Sequence, residues 1–217
     1  MTKYIKYIYY PLGIILLLLT ISQFLPIAKD VFSHLSKYQW LFYGMIAYFI
    51  VRRFSFFSRN EDWLQTTSHE VTHAIVGIMF FHKIHSLQAG QDGGMGHHSG
   101  RKFGSIFITL APYCLPIATY AILLFRILGA DSMLYIFDLF IGFTLAFHIV
   151  CFWTQTERRQ PDIHQYGLVG SALFISVALI FNASIILLSI RRGIIGAISD
   201  ILPAYWDTFT NWISAIF

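Results

Sequence analysis

The sequence predicts an all-α polytopic membrane protein with about six transmembrane helices. Three observations lead there. The 217 residues are 56% hydrophobic and only 12% charged, where a soluble domain is about a quarter charged. Mean hydropathy is +0.62. The aromatic content is 18%, and much of it lies near the ends of the apolar runs, as in the belts at membrane–water interfaces. The net charge of +4 is spread along the chain. That leaves no basic stripe for nucleic acid, so none is expected as a partner, whereas the lipid bilayer is. Cys114 and Cys151 both fall within apolar runs and read as small buried hydrophobes rather than a disulfide or a metal pair.

An apolar run of about 20 residues can cross a bilayer. The first covers 9–28. Lys3 and Lys6 precede it, but the run is too long for a signal-peptide core and no clear A-x-A cleavage site follows. The second covers 39–57 and is interrupted by Arg52 and Arg53. The third covers 62–81, with Ser58 and Glu61 at capping-box spacing just before it. The fourth, 103–128, is broken by Pro112 and Pro116; the fifth is 133–153 and the sixth 168–190. Beyond it Ile198, Ile201, Tyr205, Phe209, Trp212 and Ile216 recur at helical spacing, with Asp200, Asp207 and Asn211 between them. This predicts a C-terminal interfacial amphipathic helix, with Trp206 and Trp212 at headgroup depth; a seventh short span is the competing reading. The expected organisation is one membrane domain, 1–217, with two N-terminal helices in 1–60, a core in 61–190 and an amphipathic segment in 191–217. Lys and Arg divide 8 against 7 between alternate sides, so the positive-inside rule leaves orientation open.

Residues 69–73 read His-Glu-Val-Thr-His. On a helix, positions i and i+4 share a face, so His69 and His73 can offer two imidazoles to one Zn²⁺. Glu70 stands beside them, placed to take a proton from a metal-activated water without ligating the metal. Zinc lowers the pKa of such a water to ~7. With 9 His in the chain, chance placement gives only ~0.005 such patterns. The motif also lies mid-span, where ionisable side chains are costly and usually functional. The bland alternative is a hydrogen-bonded polar cluster joining helices.

Zinc needs a third protein ligand. Asp162, just before the sixth run, enters the membrane from the side towards which His73 points, and it is the favoured choice. Glu157 is the runner-up; beside Arg158 and Arg159 it also reads as a solvated loop charge. His148 and His164 remain candidates, His148 also as a group that supports a ligand or stabilises an oxyanion. Asp138 lies near the opposite end of its span. The loop 83–102 is polar and glycine-rich. Its first residues alternate polar and apolar, which predicts a short strand near the zinc site, and the rest reads as turn or re-entrant loop. An exposed strand edge there would suit β-addition of an extended peptide. His97 and His98 read as solvated loop residues.

These features resemble the site-2 protease clan of intramembrane zinc metallopeptidases. The resemblance covers about residues 63–190 and rests on HEVTHA at 69–74, the strand-like KIHSL, the glycine-rich loop, Leu110-Ala111-Pro112 and Pro161-Asp162. It implies zinc held by His69, His73 and Asp162, with Glu70 as catalytic base. It also implies a multi-pass protein of the cell membrane whose substrate is a membrane-spanning segment of another protein, and a zinc site open to the cytosol. Four features depart from the family. Ile163 follows Asp162 where the family has glycine, and no asparagine precedes Pro161 at the family spacing. Tyr113 follows Pro112 where small residues are usual, and no stretch is long enough for a PDZ domain. The pattern is that of a minimal, divergent branch. Two rivals stand beside it: a membrane zincin of the prenyl-processing or quality-control type, which requires Glu157 as ligand, and a non-catalytic metal-binding membrane protein. The sequence names no gating partner.

Overall fold

Where water is scarce, a backbone must satisfy its own hydrogen bonds, and apolar runs become helices. The computed structural model describes residues 3–90, 93–99, 104–156 and 160–216. In chain order these form α1 (Lys3–Ser33), α2 (Leu35–Arg53), α3 (Ser55–Met79), a hairpin of β1 (Lys83–Gly90) and β2 (Gly93–Ser99), α4 (Ser105–Cys114), α5 (Ile117–Arg126), α6 (Leu134–Gln155), the short α7 (Pro161–Gln165) and α8 (Leu168–Ile216). Among the described residues three helices are long and apolar enough to cross a membrane: Tyr9–Ser33, Asp131–Gln155 and Leu168–Ala215. The α4–α5 pair, bent by 81°, makes a fourth if it counts as one span. This supports an all-α membrane protein, with three to four such helices rather than six. Both α2 and α3 have the length, 19 and 25 residues, but not the apolar composition. Glu61, Asp62, His69, Glu70 and His73 all lie on α3.

The start of α3 corrects one expectation. Ser58 and Glu61 do not cap it, because the helix already begins at Ser55. Glu61 lies inside, buried, and a buried carboxylate must be paired. It takes Arg52 Nε at 2.7 Å, Gln65 Nε2 at 3.1 Å and the Tyr48 hydroxyl at 3.4 Å. The strand expected after residue 83 is present. It pairs antiparallel with β2, from Lys83 opposite Ser99 to Gly90 opposite Gly93, so part of the glycine-rich segment is strand rather than turn. The hairpin packs against α3.

Helices α2 and α6 pack closely against each other, and two glycines make this approach feasible. A Cβ on Gly44 would overlap the Leu139 carbonyl, and one on Gly142 would overlap the Leu41 carbonyl. Small residues at a membrane-type helix crossing let backbones touch. Gly142→Ala is therefore expected to force α2 from α6 and to cost about 1–3 kcal/mol, the usual range for overpacking. Denaturation in detergent would read this; an unchanged midpoint would show that the crossing has slack.

The C-terminal segment folds back on itself. A straight helix would place Phe181 and Tyr205 about 36 Å apart at 1.5 Å per residue, yet their rings meet at 5.7 Å. The chain reverses at Gly193, whose φ of 69° and ψ of 165° are non-helical and suit glycine alone. The first arm runs beside α1, with Leu173 against Gly13 and Arg191 paired to Asp30. The second arm returns along the first and along α1, where Gln23 donates to Thr208. Asp200, Asp207 and Asn211, which the amphipathic reading placed on a polar face, are exposed on this arm. Ile194, Ala197 and Ile201 are buried, while Ile195, Ile198, Leu202 and Trp206 form an exposed apolar stripe. Near the bend Arg126 donates to the carbonyls of Ser189, through Nη1 at 3.3 Å, and Ile190, through Nη2 at 2.9 Å, while its Nε holds Asp138 at 2.8 Å. That pair accounts for Asp138, at the end of α6 away from the HEVTH motif.

Candidate metal centre

The HEVTH stretch lies within α3, so one helical turn separates His69 from His73 and both rings leave the same face. Their Nε2 atoms stand 3.1 Å apart. Asp162, the second residue of α7, brings Oδ2 to 3.5 Å from each of them. These three side chains are the one group of metal-ligating residues that converges among the described residues. The spacing is informative. Two ligands at about 2.0–2.1 Å from a tetrahedral ion lie ~3.3 Å from each other, and the three distances bracket that value.

Each of the three side chains has a support. His69 Nδ1 meets Gln155 Oε1 at 3.2 Å, at the end of α6. His73 Nδ1 meets the Ile108 carbonyl at 2.8 Å, in α4. The Ile108 carbonyl can only accept, so His73 Nδ1 carries the proton, and a neutral imidazole there turns a lone pair outward at Nε2. The two Nε2 atoms and the carboxylate oxygen, facing one another within 3.5 Å, form a set that could hold a metal ion. Outer hydrogen bonds of this kind fix ring orientation and tautomer in metal sites. The third support is Tyr113. Its hydroxyl lies 3.4 Å from Asp162 Oδ2, and its ring stands edge-on to His69 at 5.3 Å.

Glu70 is 7% exposed and lies close enough to act electrostatically on His73 and Tyr113. The remaining sequence candidates fall elsewhere. No hydrogen bond, ion pair or ring contact joins His148 to the cluster, and its buried Nε2 has no hydrogen-bond partner among the described residues. The α6 residue that reaches the site is Gln155, two turns further on. His164 is exposed on α7 and outside the converging group. Glu157 lies outside the described residues, and nothing is described of the side chains of His97 and His98.

Tyr113, Gln155 and the Ile108 carbonyl were missed in the sequence. A phenol within an apolar run was the only hint, since a buried hydroxyl needs a partner. A second network backs the first. Thr154 donates to Gln65 Oε1 at 2.7 Å, and Gln65 donates in turn to Glu61. The α6 end that carries Gln155 is thereby tied to α3 one turn before His69.

Comparison with known proteins finds no matching family model, no matching curated protein and no matching solved structure.

Proposed function

We propose that this chain is an intramembrane zinc metalloprotease of the site-2 protease type, hydrolysing peptide bonds in or near transmembrane segments of membrane-protein substrates. One observation carries the reading: two imidazole Nε2 atoms and a carboxylate oxygen converge at metal-ligand spacing beside a buried glutamate, in a chain built from apolar helices. His69, His73 and Asp162 would hold the zinc. When bound, zinc supplies a Lewis acid and a water acidified towards neutral pH. Glu70 would take a proton from the attacking water as the water oxygen bonds to the peptide carbonyl carbon, and would return it to the amide nitrogen as the C–N bond breaks, leaving a carboxylate and an amine. Gln155 and the Ile108 carbonyl keep the two imidazoles turned towards the metal, and Tyr113 holds Asp162.

The setting supports a substrate that comes from the bilayer. An apolar cavity of about 610 Å³ is lined by Tyr9, Leu16, Val76, Phe80, Leu115 and Phe174, and Val76 sits one turn beyond His73 on α3. In this reading α1, α2, α3, the α4–α5 pair, α6 and the first arm of α8 make six crossings in the cell membrane.

The test is metal dependence. Protein stripped with a chelator should lose cleavage of a membrane-spanning reporter peptide and regain it on addition of stoichiometric zinc. Cleavage that survives complete removal of metal would sink the reading.

A further inference from the structure

We infer that Pro112 is a positioning residue for the metal site: lacking an N–H, it leaves the Ile108 carbonyl available to hold the His73 ring. The inference rests on the metal-site reading above.

In an α-helix the N–H of residue i bonds to the carbonyl of residue i−4. Within α4 the Ile108 oxygen is therefore the regular acceptor for residue 112. Proline has no N–H, and its ring presses against the i−4 carbonyl and turns it off the helix axis. Ile108 is 0% exposed, and a buried carbonyl needs a donor. The donor is His73 Nδ1 at 2.8 Å. A gap in the hydrogen-bond ladder of one helix thus sets the tautomer of a ligand on another. With its proton fixed at Nδ1, the His73 ring turns its Nε2 lone pair to His69 Nε2 and Asp162 Oδ2. A residue with an N–H at 112 would draw the carbonyl back along the helix axis, away from His73, and free the ring to take the other tautomer. The sharp bend of the α4–α5 pair lies further on, between Cys114 and Ile117, so the two prolines have separate tasks. Pro116 stands in the break, and Pro112 sits inside α4 opposite the motif.

The experiment compares three full-length proteins: the natural chain, Pro112→Ala, and an ester analogue with lactic acid at position 112. The last has the alanine side chain but, like proline, no N–H. Two quantities are read in each. One is the zinc Kd, by competition with a chromophoric chelator. The other is the ¹⁵N shift of the His73 ring nitrogens in zinc-free protein, which reports where the proton sits. Pro112→Ala should raise the Kd about 10–100-fold, the usual cost of losing an outer partner, and move His73 away from the Nδ1–H form. The ester should restore both. An unchanged Kd and tautomer in Pro112→Ala would overturn the inference, as would an ester that behaves like Pro112→Ala. A natural chain that binds no zinc would refute the metal reading itself, and the tautomer measurement would still decide the role of Pro112.

Discussion

Glu70→Gln is expected to cut peptide-bond cleavage by about 10²–10⁴-fold, the usual contribution of a positioned general base, while bound zinc stays at the level of the unaltered protein. The separation of the two readouts follows from the geometry. Glu70 is not one of the three converging ligands, so an amide there leaves the metal-binding atoms in place. The amide is nearly the same size and takes the same buried position, so packing is conserved. What it cannot do is accept a proton near neutral pH. Turnover of a membrane-spanning reporter, measured beside metal content on the same preparation, gives the answer. Undiminished cleavage with His69 and His73 intact would falsify the mechanism. Loss of both cleavage and zinc would mean that Glu70 serves the metal directly rather than the water.

Asp162→Ala should raise the zinc Kd by more than about 100-fold, because it removes a ligand rather than a ligand's support. It leaves the two Nε2 atoms of His69 and His73 without an anionic partner. It also strands the Tyr113 hydroxyl, on a residue that is 0% exposed, at a cost of about 1–3 kcal/mol for an unsatisfied buried group. Asp162→Asn separates these effects, since an amide oxygen still accepts from Tyr113 but carries no charge to the metal. Glu157→Ala is the comparison. If that variant loses zinc and Asp162→Ala retains it, the chain belongs with glutamate-ligand zincins, and the intramembrane protease reading gives way.

The ease of reading the site falls with distance along the chain. His69, Glu70 and His73 were legible because a five-residue spacing on a helix is a local geometric fact. Asp162 lies 89 residues beyond His73 (162 − 73) and was favoured largely by its order relative to the spans. Its agreement with the geometry owes something to the shortage of other acids. Gln155, Tyr113 and the Ile108 carbonyl had no local signature. Amide side chains and phenols occur throughout, and the value of each here comes from what a different helix brings opposite it. His148 shows the converse. A histidine deep in an apolar span looks like part of a site, yet Gln155 at the end of the same helix makes the contact.

The fold divided in the same way. Proline and glycine marked true breaks at Pro116 and at Gly193, where local backbone chemistry overrides the apolar pattern. The capping-box spacing of Ser58 and Glu61 misled because that pattern says nothing of Arg52, which stands across a helix junction and turns Glu61 into a buried partner. In the C-terminal segment, helical periodicity cannot tell a face that meets lipid from one that meets protein. Its apolar residues include both the buried Ile201 and the exposed Phe209.

By itself the sequence determined that the chain carries long apolar helices of the kind found in membranes, and that two imidazoles and a carboxylate share one helical turn. Those properties are set by composition and by the 3.6-residue period. Only the tertiary structure decided which distant residue converges on the two imidazoles, which groups face their Nδ1 atoms and the return of the last helix along the first. Each of these depends on atoms from distant segments meeting within hydrogen-bond range, and no local pattern encodes that meeting.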